Sequence, residues 1–505
     1  CIFKEKEFMS SSMKGLISGI IVLAVLGGIF AFMKISEKAD NAEESSSISD
    51  SLEETEKSLL YDESSQGVKS IKITNERDSF EVIRTAQATD DTEARYAVKG
   101  YEDFEMNDNI IATLANNISA VTATQTIEEN PEDLEQYGLA KPVIDIVVTF
   151  DDGTEKHLMV GNDTPSGDNT YFMIDGVDTV YTVSDTSVAN FLKNRKYFFS
   201  RICLPAPEDQ NNYPVVKSLL VERKDLDYNI KVEYDENSEN EESVNGTMST
   251  HKLTEPVEAY LDVSKSTTYT HGLFGLTADS IHTVKPTEAD LKATGLDNPQ
   301  CTVTMVVEDG TEYKLLLGDS YEETSGMDMS TSTYYFGYFE GRDIIYSFTA
   351  SAVPWATMKP TDITSLLVFT TNIYDIGELT VSAPDKETID FKCEGEDSDT
   401  FKVTLGGKEY DTERFKSFYQ YIIKTAGEEI CTEQPTGEPI ASIVLKRQDG
   451  KDGETVDFYN SADGNRSVII CHNGKPTFKC RADYVKVLLQ NMDKVDTDED
   501  FAMSW

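Results

Sequence analysis

Positive charge, cysteine, histidine and recognisable catalytic spacings are all scarce in this chain of 505 residues. Lys and Arg total 45 against 91 Asp and Glu, a net charge of −46. A surface that acidic repels phosphate backbones and excludes nucleic-acid binding as the main role. Seven Cys are too few for a disulfide scaffold. Cys203, Cys301, Cys393, Cys431, Cys471 and Cys480 are read as free thiols; a tight turn after Cys471 would pair it with Pro476 rather than Cys480. The five His (His157, His251, His271, His282 and His472) lack zinc-site spacing. Neither a Gly-x-Ser-x-Gly elbow nor an Asp-x-Asp-x-Asp-Gly calcium series occurs. The loop Gly161 to Asp168 lacks the Gly-Lys-Ser/Thr ending of a phosphate cradle, and no helix follows it, so its glycines read as turn residues. Asp163, Asp168 and Asp175 are first suspects for weak calcium binding, set against solvated turn carboxylates. No catalytic, metal or cofactor-binding residue, and no cofactor, is assigned.

What is present begins with an apolar run. Gly15 to Met33 is 19 uncharged residues, mostly aliphatic. About 20 residues span the ~30 Å hydrocarbon core as a helix. Lys4, Lys6 and Lys14 precede the run, and the chain turns acidic beyond Lys38. The expectation is a cytoplasmic segment 1–14, an uncleaved transmembrane helix 15–33 contacting the lipid bilayer, and an extracytoplasmic remainder. The run exceeds a signal h-region, and no Cys follows it closely enough for lipid attachment. The opening Cys1 makes Met9 or Met13 a more natural start. Residues 34–66, rich in Ser and Glu, read as a solvated stalk.

The chain then repeats itself. Tyr137-Gly138-Leu139-Ala140-Lys141-Pro142 returns as Thr294-Gly295-Leu296-Asp297-Asn298-Pro299, an offset of 157. The same offset carries Asp152-Gly153-Thr154-Glu155 onto Asp309-Gly310-Thr311-Glu312, and Val160-Gly161 onto Leu317-Gly318. A third, degenerate copy keeps the first strand at Gly377 to Val381 and a later part, Gly464 to Leu489. The units are placed at 67–204, 214–360 with an acidic insertion at 235–250, and 375–496, followed by an acidic tail at 497–505. Within the first, alternation predicts strands at 70–74 and 80–83, and hairpins turning at Asp152-Gly153 and Asp175-Gly176. Ile110, Ile111, Leu114 and Ile118 predict a helix near 107–121, and Phe415, Phe418, Tyr419 and Ile422 its counterpart at 412–424. The expected fold class is α+β: a transmembrane helix followed by three tandem antiparallel α+β repeat units rich in β-hairpins. The aromatic run Tyr334 to Phe339 reads as half core, half cross-strand ladder, with a ligand groove as the lesser alternative.

The apolar helix, the acidic stalk, Leu59-Leu60-Tyr61-Asp62 before Val68-Lys69-Ser70-Ile71, and the repeated Asp-Leu…Gly-Leu-x-x-Pro…Asp-Gly-Thr-Glu…Gly-Asn/Asp signature together resemble the bacterial family called domain of unknown function 4340. The resemblance implies a Gram-positive cell-surface companion of a gliding-motility-type ABC transporter, with its permease and a large auxiliary membrane subunit as partners. It brings no catalytic residues. The expected function is therefore a non-enzymatic, single-pass, membrane-anchored accessory or scaffold protein. A cell-surface adhesin-like module gripping a wall glycan or protein is the alternative, and an extracellular hydrolase a lower one.

Overall fold

The computed structural model of the protein describes residues 58–505 except 90–91, 210–212, 237–247, 326–329, 463 and 465. The segments read as cytoplasmic (1–14) and transmembrane (15–33), and most of the stalk, lie outside these residues. Among the described residues no helix is long and apolar enough to cross a membrane. The last part of the segment read as stalk, Ser58–Asp62, is a strand paired antiparallel with Ala120–Ala123.

The α+β expectation is corrected. The described residues are mainly β-sheet, in four antiparallel sheets of two, eight, nine and nine strands, and the longest α-helices have 12 residues. The reason lies in the connections. Most strands are joined by tight turns such as Asp152-Gly153, which leave no length for a crossover helix.

The first large sheet runs, edge to edge, Arg95–Val98, Ser79–Ala86, Val68–Asn75, Ile144–Phe150, Glu155–Asp163, Asn169–Ile174, Thr179–Ser184, Gln125–Glu129. The other two follow the same order with one more strand at the first edge, Ala259–Asp262 in the second and Lys408–Tyr410 in the third. The registers correspond too. Ile71 faces Val148, Leu219 faces Met305, and Leu379 faces Leu445 at the sheet centres. Ile144 faces Val160 in the first hairpin, and Cys301 faces Leu317, each 157 further on, in the second.

Alternation makes these strands half-buried. Ile144, Ile146, Val148 and Phe150 are all buried, as are Cys301, Val303, Met305 and Val307. Helices close the cores, with Thr412–Ile423 and Ala482–Met492 both packed into the third. Asp108–Ser119 starts at Asn107, whose side chain accepts a hydrogen bond from Ile110 N, and buries Ile111, Leu114, Ala115 and Ile118. Thr412–Ile423 starts at Asp411 and buries Phe415, Phe418, Tyr419, Tyr421 and Ile422. The first two sheets share one continuous apolar core, whereas the third has its own. The segment read as an acidic tail is packed: Phe501 is buried 5.2 Å from Phe418, and Ala502 exchanges two hydrogen bonds with Asn491.

Candidate functional site

Of the residues that recur between the first two sheets, the Gly-Leu pair and the glycine in the second hairpin strand meet at one corner of each, and the Asp-Gly-Thr turn lies at the other end of that hairpin. Gly138 has a left-handed φ of 70°, and a Cβ there would lie 2.5 Å from Asn162 Oδ1. A Cβ on Gly161 would lie 2.1 Å from the Tyr137 carbonyl oxygen, with Leu139 packed over it. The second sheet repeats this: Gly295 at φ 70° faces Asp319, and Gly318 meets the Thr294 carbonyl at 2.1 Å. Thr154 N donates to Asp152 Oδ1 at 2.8 Å, and Thr311 N to Asp309 Oδ1 at 2.8 Å. These hydrogen bonds hold both carboxyls below the usual aspartate range. The shared signature is therefore made of turn and packing residues.

The suspected calcium carboxylates do not converge. Asp163 Oδ1 accepts from Thr170 Oγ1 at 3.4 Å, whereas Asp175 lies 3.6 Å from His157 Nδ1, and only the backbone oxygen of Asp168 is engaged, by Asp185 N. Among the described residues no group of three His, Cys, Asp or Glu could hold a metal ion. The loop from Gly161 to Asp168 joins two antiparallel strands.

The histidines go separate ways. His157 Nε2 lies 2.8 Å from Asp145 Oδ2, and that carboxylate raises its pKa. His251 is buried with Nε2 2.8 Å from the Val216 carbonyl, and its ring meets that of His271 edge-on at 5.6 Å. Burial lowers both pKa values; burial and the neighbouring His251 take His271 down to about 4. The ring of His282 packs on Phe336 at 4.7 Å.

His472 reaches a cleft of about 240 Å³ between the second and third sheets. Lys252, Glu258 and Tyr260 line one side; Val368, His472 and Thr477 line the other. Lys475 Nζ meets Glu258 Oε1 across it at 2.9 Å. Behind His472, 3.5 Å from its Nε2, is Glu454, only 7% exposed. Glu454 accepts from the backbone N–H of Thr370 and Thr371 and from both hydroxyls. Burial alone would raise its pKa; His472 and Thr371 outweigh it and hold the carboxyl below the usual value. So engaged, Glu454 ties the segment entering the third sheet to that sheet, and the cleft offers cationic, anionic and imidazole groups over an apolar floor. Sequence reasoning named His472 only among the five histidines, with no role, and missed Glu454. Its signal was an acid in the core phase of the alternating strand Glu454–Asn460, where Val456 and Phe458 are buried.

A family model described as Domain of unknown function (DUF4340) matches residues 97–288. The match covers less than half of the chain and shows that this segment is similar to the family. The DUF4340 segment starts in the third strand of the first large sheet and ends in the short helix Glu288–Ala293 of the second. It therefore crosses both sheets that share a core, and includes Gly138, Gly161, His251, His271 and one side of the cleft, Lys252, Glu258 and Tyr260, but not His472 or Glu454. No curated protein and no solved structure matches the chain.

The six described cysteines are buried thiols, two of them, Cys203 and Cys301, within the core shared by the first two large sheets. Burial pushes Cys203, Cys301, Cys393 and Cys480 up to about 12 and Cys471 up to about 11, which keeps them protonated and poorly nucleophilic. Cys471 faces Pro476 across its turn, and Cys480 faces Val468.

In the aromatic run, Gly337 and Phe339 are buried, and Tyr334, Phe336 and Tyr338 are half-buried on the other face. Tyr321 stacks on Tyr334 at 5.4 Å and on Phe336 at 4.8 Å, a cross-strand ladder.

Proposed function

We propose that this chain is a non-enzymatic, extracytoplasmic scaffold, held at the bilayer by residues 15–33 and serving as accessory to an ABC-type transporter. The observation that carries the reading is the recurrence of one strand order in three sheets, the first two of them sharing signature residues that do turn and packing work. Serial modules of this kind present long contact surfaces rather than a single pocket. One anchor helix would hold them at high local concentration near membrane partners. The net charge of −46 keeps such an array off anionic head groups.

Crosslinking of the full-length protein in its membrane, followed by pull-down and mass spectrometry, tests this. Recovery of a permease and its ATPase is expected. Recovery of wall polymer alone, or turnover of a wall polymer by the purified chain, overturns it.

The ladder of Tyr321, Tyr334 and Phe336 favours a second reading, an adhesin-like module stacking on a wall glycan. Binding of isolated cell wall by the chain without any transporter supports that reading, and loss of the binding in Y334A assigns it to the ladder.

A further inference from the structure

The three modules differ at the position ten residues beyond the cap of the closing helix, which lies within the helix in the first and third and just past its end in the second. Their closing helices begin at the caps Asn107, Asp262 and Asp411. Ten residues beyond each cap stand Asn117, Gly272 and Tyr421. In the third module Tyr421 donates to the carbonyl of Tyr484 at 2.6 Å, and the two rings stack. Trp505 meets both edge-on, at 5.7 and 5.1 Å. In the second module Trp355 packs against Gly272, its Cζ2 3.1 Å from where a Cβ would lie, and is fully buried. These are the chain's two tryptophans.

In the first module the same bond is made by a small side chain: Asn117 Nδ2 donates to the Ser187 carbonyl at 2.9 Å. No indole covers it. A cavity of about 310 Å³ stands there instead. Its floor is the buried Ile146, Phe172, Val183 and Phe191, and its rim is amide and hydroxyl, including Asn116 and Ser184. The lining has no charged side chain in a chain of net charge −46. An apolar cavity of ~150 Å³ already accepts benzene, so this one has room for an indole.

We propose that the first module's cavity is a receptor for a neutral aromatic side chain, of indole size, presented by a partner polypeptide. The chain's own packing specifies that chemistry, because both sister positions are covered by a tryptophan. A polypeptide source follows from how the third module holds its ring. There Asn491 clamps the incoming backbone at Ala502 by donating from Nδ2 at 2.9 Å and accepting at Oδ1 at 2.8 Å. Asn116 on the open rim can meet a peptide in the same way. The proposal stands without the transporter reading, since it concerns the ring and not the partner's identity.

The test titrates the full-length chain with a capped Gly-(5-fluoro-Trp)-Gly peptide and, separately, with 5-fluoroindole, following fluorine line widths. The peptide is expected to bind about tenfold more tightly than the free ring, through its added backbone hydrogen bonds. S187Y and N117Y, which install the third module's residues, should each weaken peptide binding at least about tenfold. Equal affinity for peptide and free ring overturns the polypeptide source. Undiminished binding to either variant, or no binding to the wild type, overturns the site. A diazirine-bearing version of the peptide keeps the wild-type test independent of how the variants fold. Labelling within 116–124 and 183–191 supports the proposal, and labelling elsewhere overturns it.

Discussion

Replacing Gly161 by Ala places a Cβ 2.1 Å from the Tyr137 carbonyl oxygen, where ordinary carbon–oxygen contacts are ~3.3 Å or more. More than an ångström must open between two backbone segments, and neither can retreat like the end of a flexible side chain. The corner residues Leu134 to Ala140 must lift from the strand. Leu139, 2% exposed, then loses its seat against Met173 and Val180. Exposing a buried Leu costs roughly 1.5–3 kcal/mol. Forced backbone shifts of this kind add about 1–3 kcal/mol. G161A should therefore lose about 3–5 kcal/mol in the first module, and G318A a similar amount in the second, where the Thr294 carbonyl stands in the same relation. The control is G153A: its φ is 88° but nothing lies within 4 Å of a new Cβ, so only the left-handed penalty of about 1 kcal/mol applies. The assay is native-state hydrogen exchange read by mass spectrometry, which localises the loss without assuming that the modules unfold together. Protection of the strands Ile144–Phe150 and Glu155–Asp163 should fall in G161A and that of Cys301–Val307 in G318A. If G161A costs no more than G153A, the signature glycines are not holding the corner and the reasoning is wrong.

Three further outcomes follow from the same structure. E454A strands two backbone N–H groups and two hydroxyls in a buried place, so urea unfolding of the third module should shift by about 2–4 kcal/mol, with E454Q between variant and wild type. His251 and His271 have depressed pKa values, so the unfolded chain takes up protons first; the stability they contribute is complete above pH 6.5 and is lost as the pH falls toward about 4. Between pH 7 and pH 5 that loss is roughly 2 kcal/mol for His271, and a urea midpoint in H271Q should show a shallower pH dependence over that range than the wild type. The six buried thiols should resist a disulfide reagent in the native protein and react on denaturation; rapid native labelling of Cys203, Cys301, Cys393, Cys471 or Cys480 would contradict their raised pKa values.

Much of the local structure was legible. The Asp-Gly turns, the helix over Asp108–Ser119 and the pairing of Cys471 with Pro476 are consequences of alternation, capping and turn length, all of which act over a few residues. The class was misjudged because amphipathic helices are conspicuous in sequence, whereas short strands such as Ala120–Ala123 and Glu429–Ile430 have too few residues to show a period. The acidic tail misled for a related reason. Asp498, Glu499 and Asp500 dominate its composition, yet Phe501 and Trp505 decide where it goes. Glu454 went unremarked because one acid in a core phase gains meaning only when Thr370 and Thr371 are seen to donate to it.

The linear chain was enough to reveal a repeated unit, its hairpin registers and its acidity, because those depend on side-chain order at spacings of two to about thirty residues. Folding in three dimensions decided what no spacing encodes. It merged two modules over one core and left the third with its own. It brought Lys475 to Glu258 across a cleft. It also covered two of three positions ten residues beyond the closing-helix caps with tryptophan and left the third open, since which residue fills a gap depends on contacts between segments as distant as Tyr421 and Trp505.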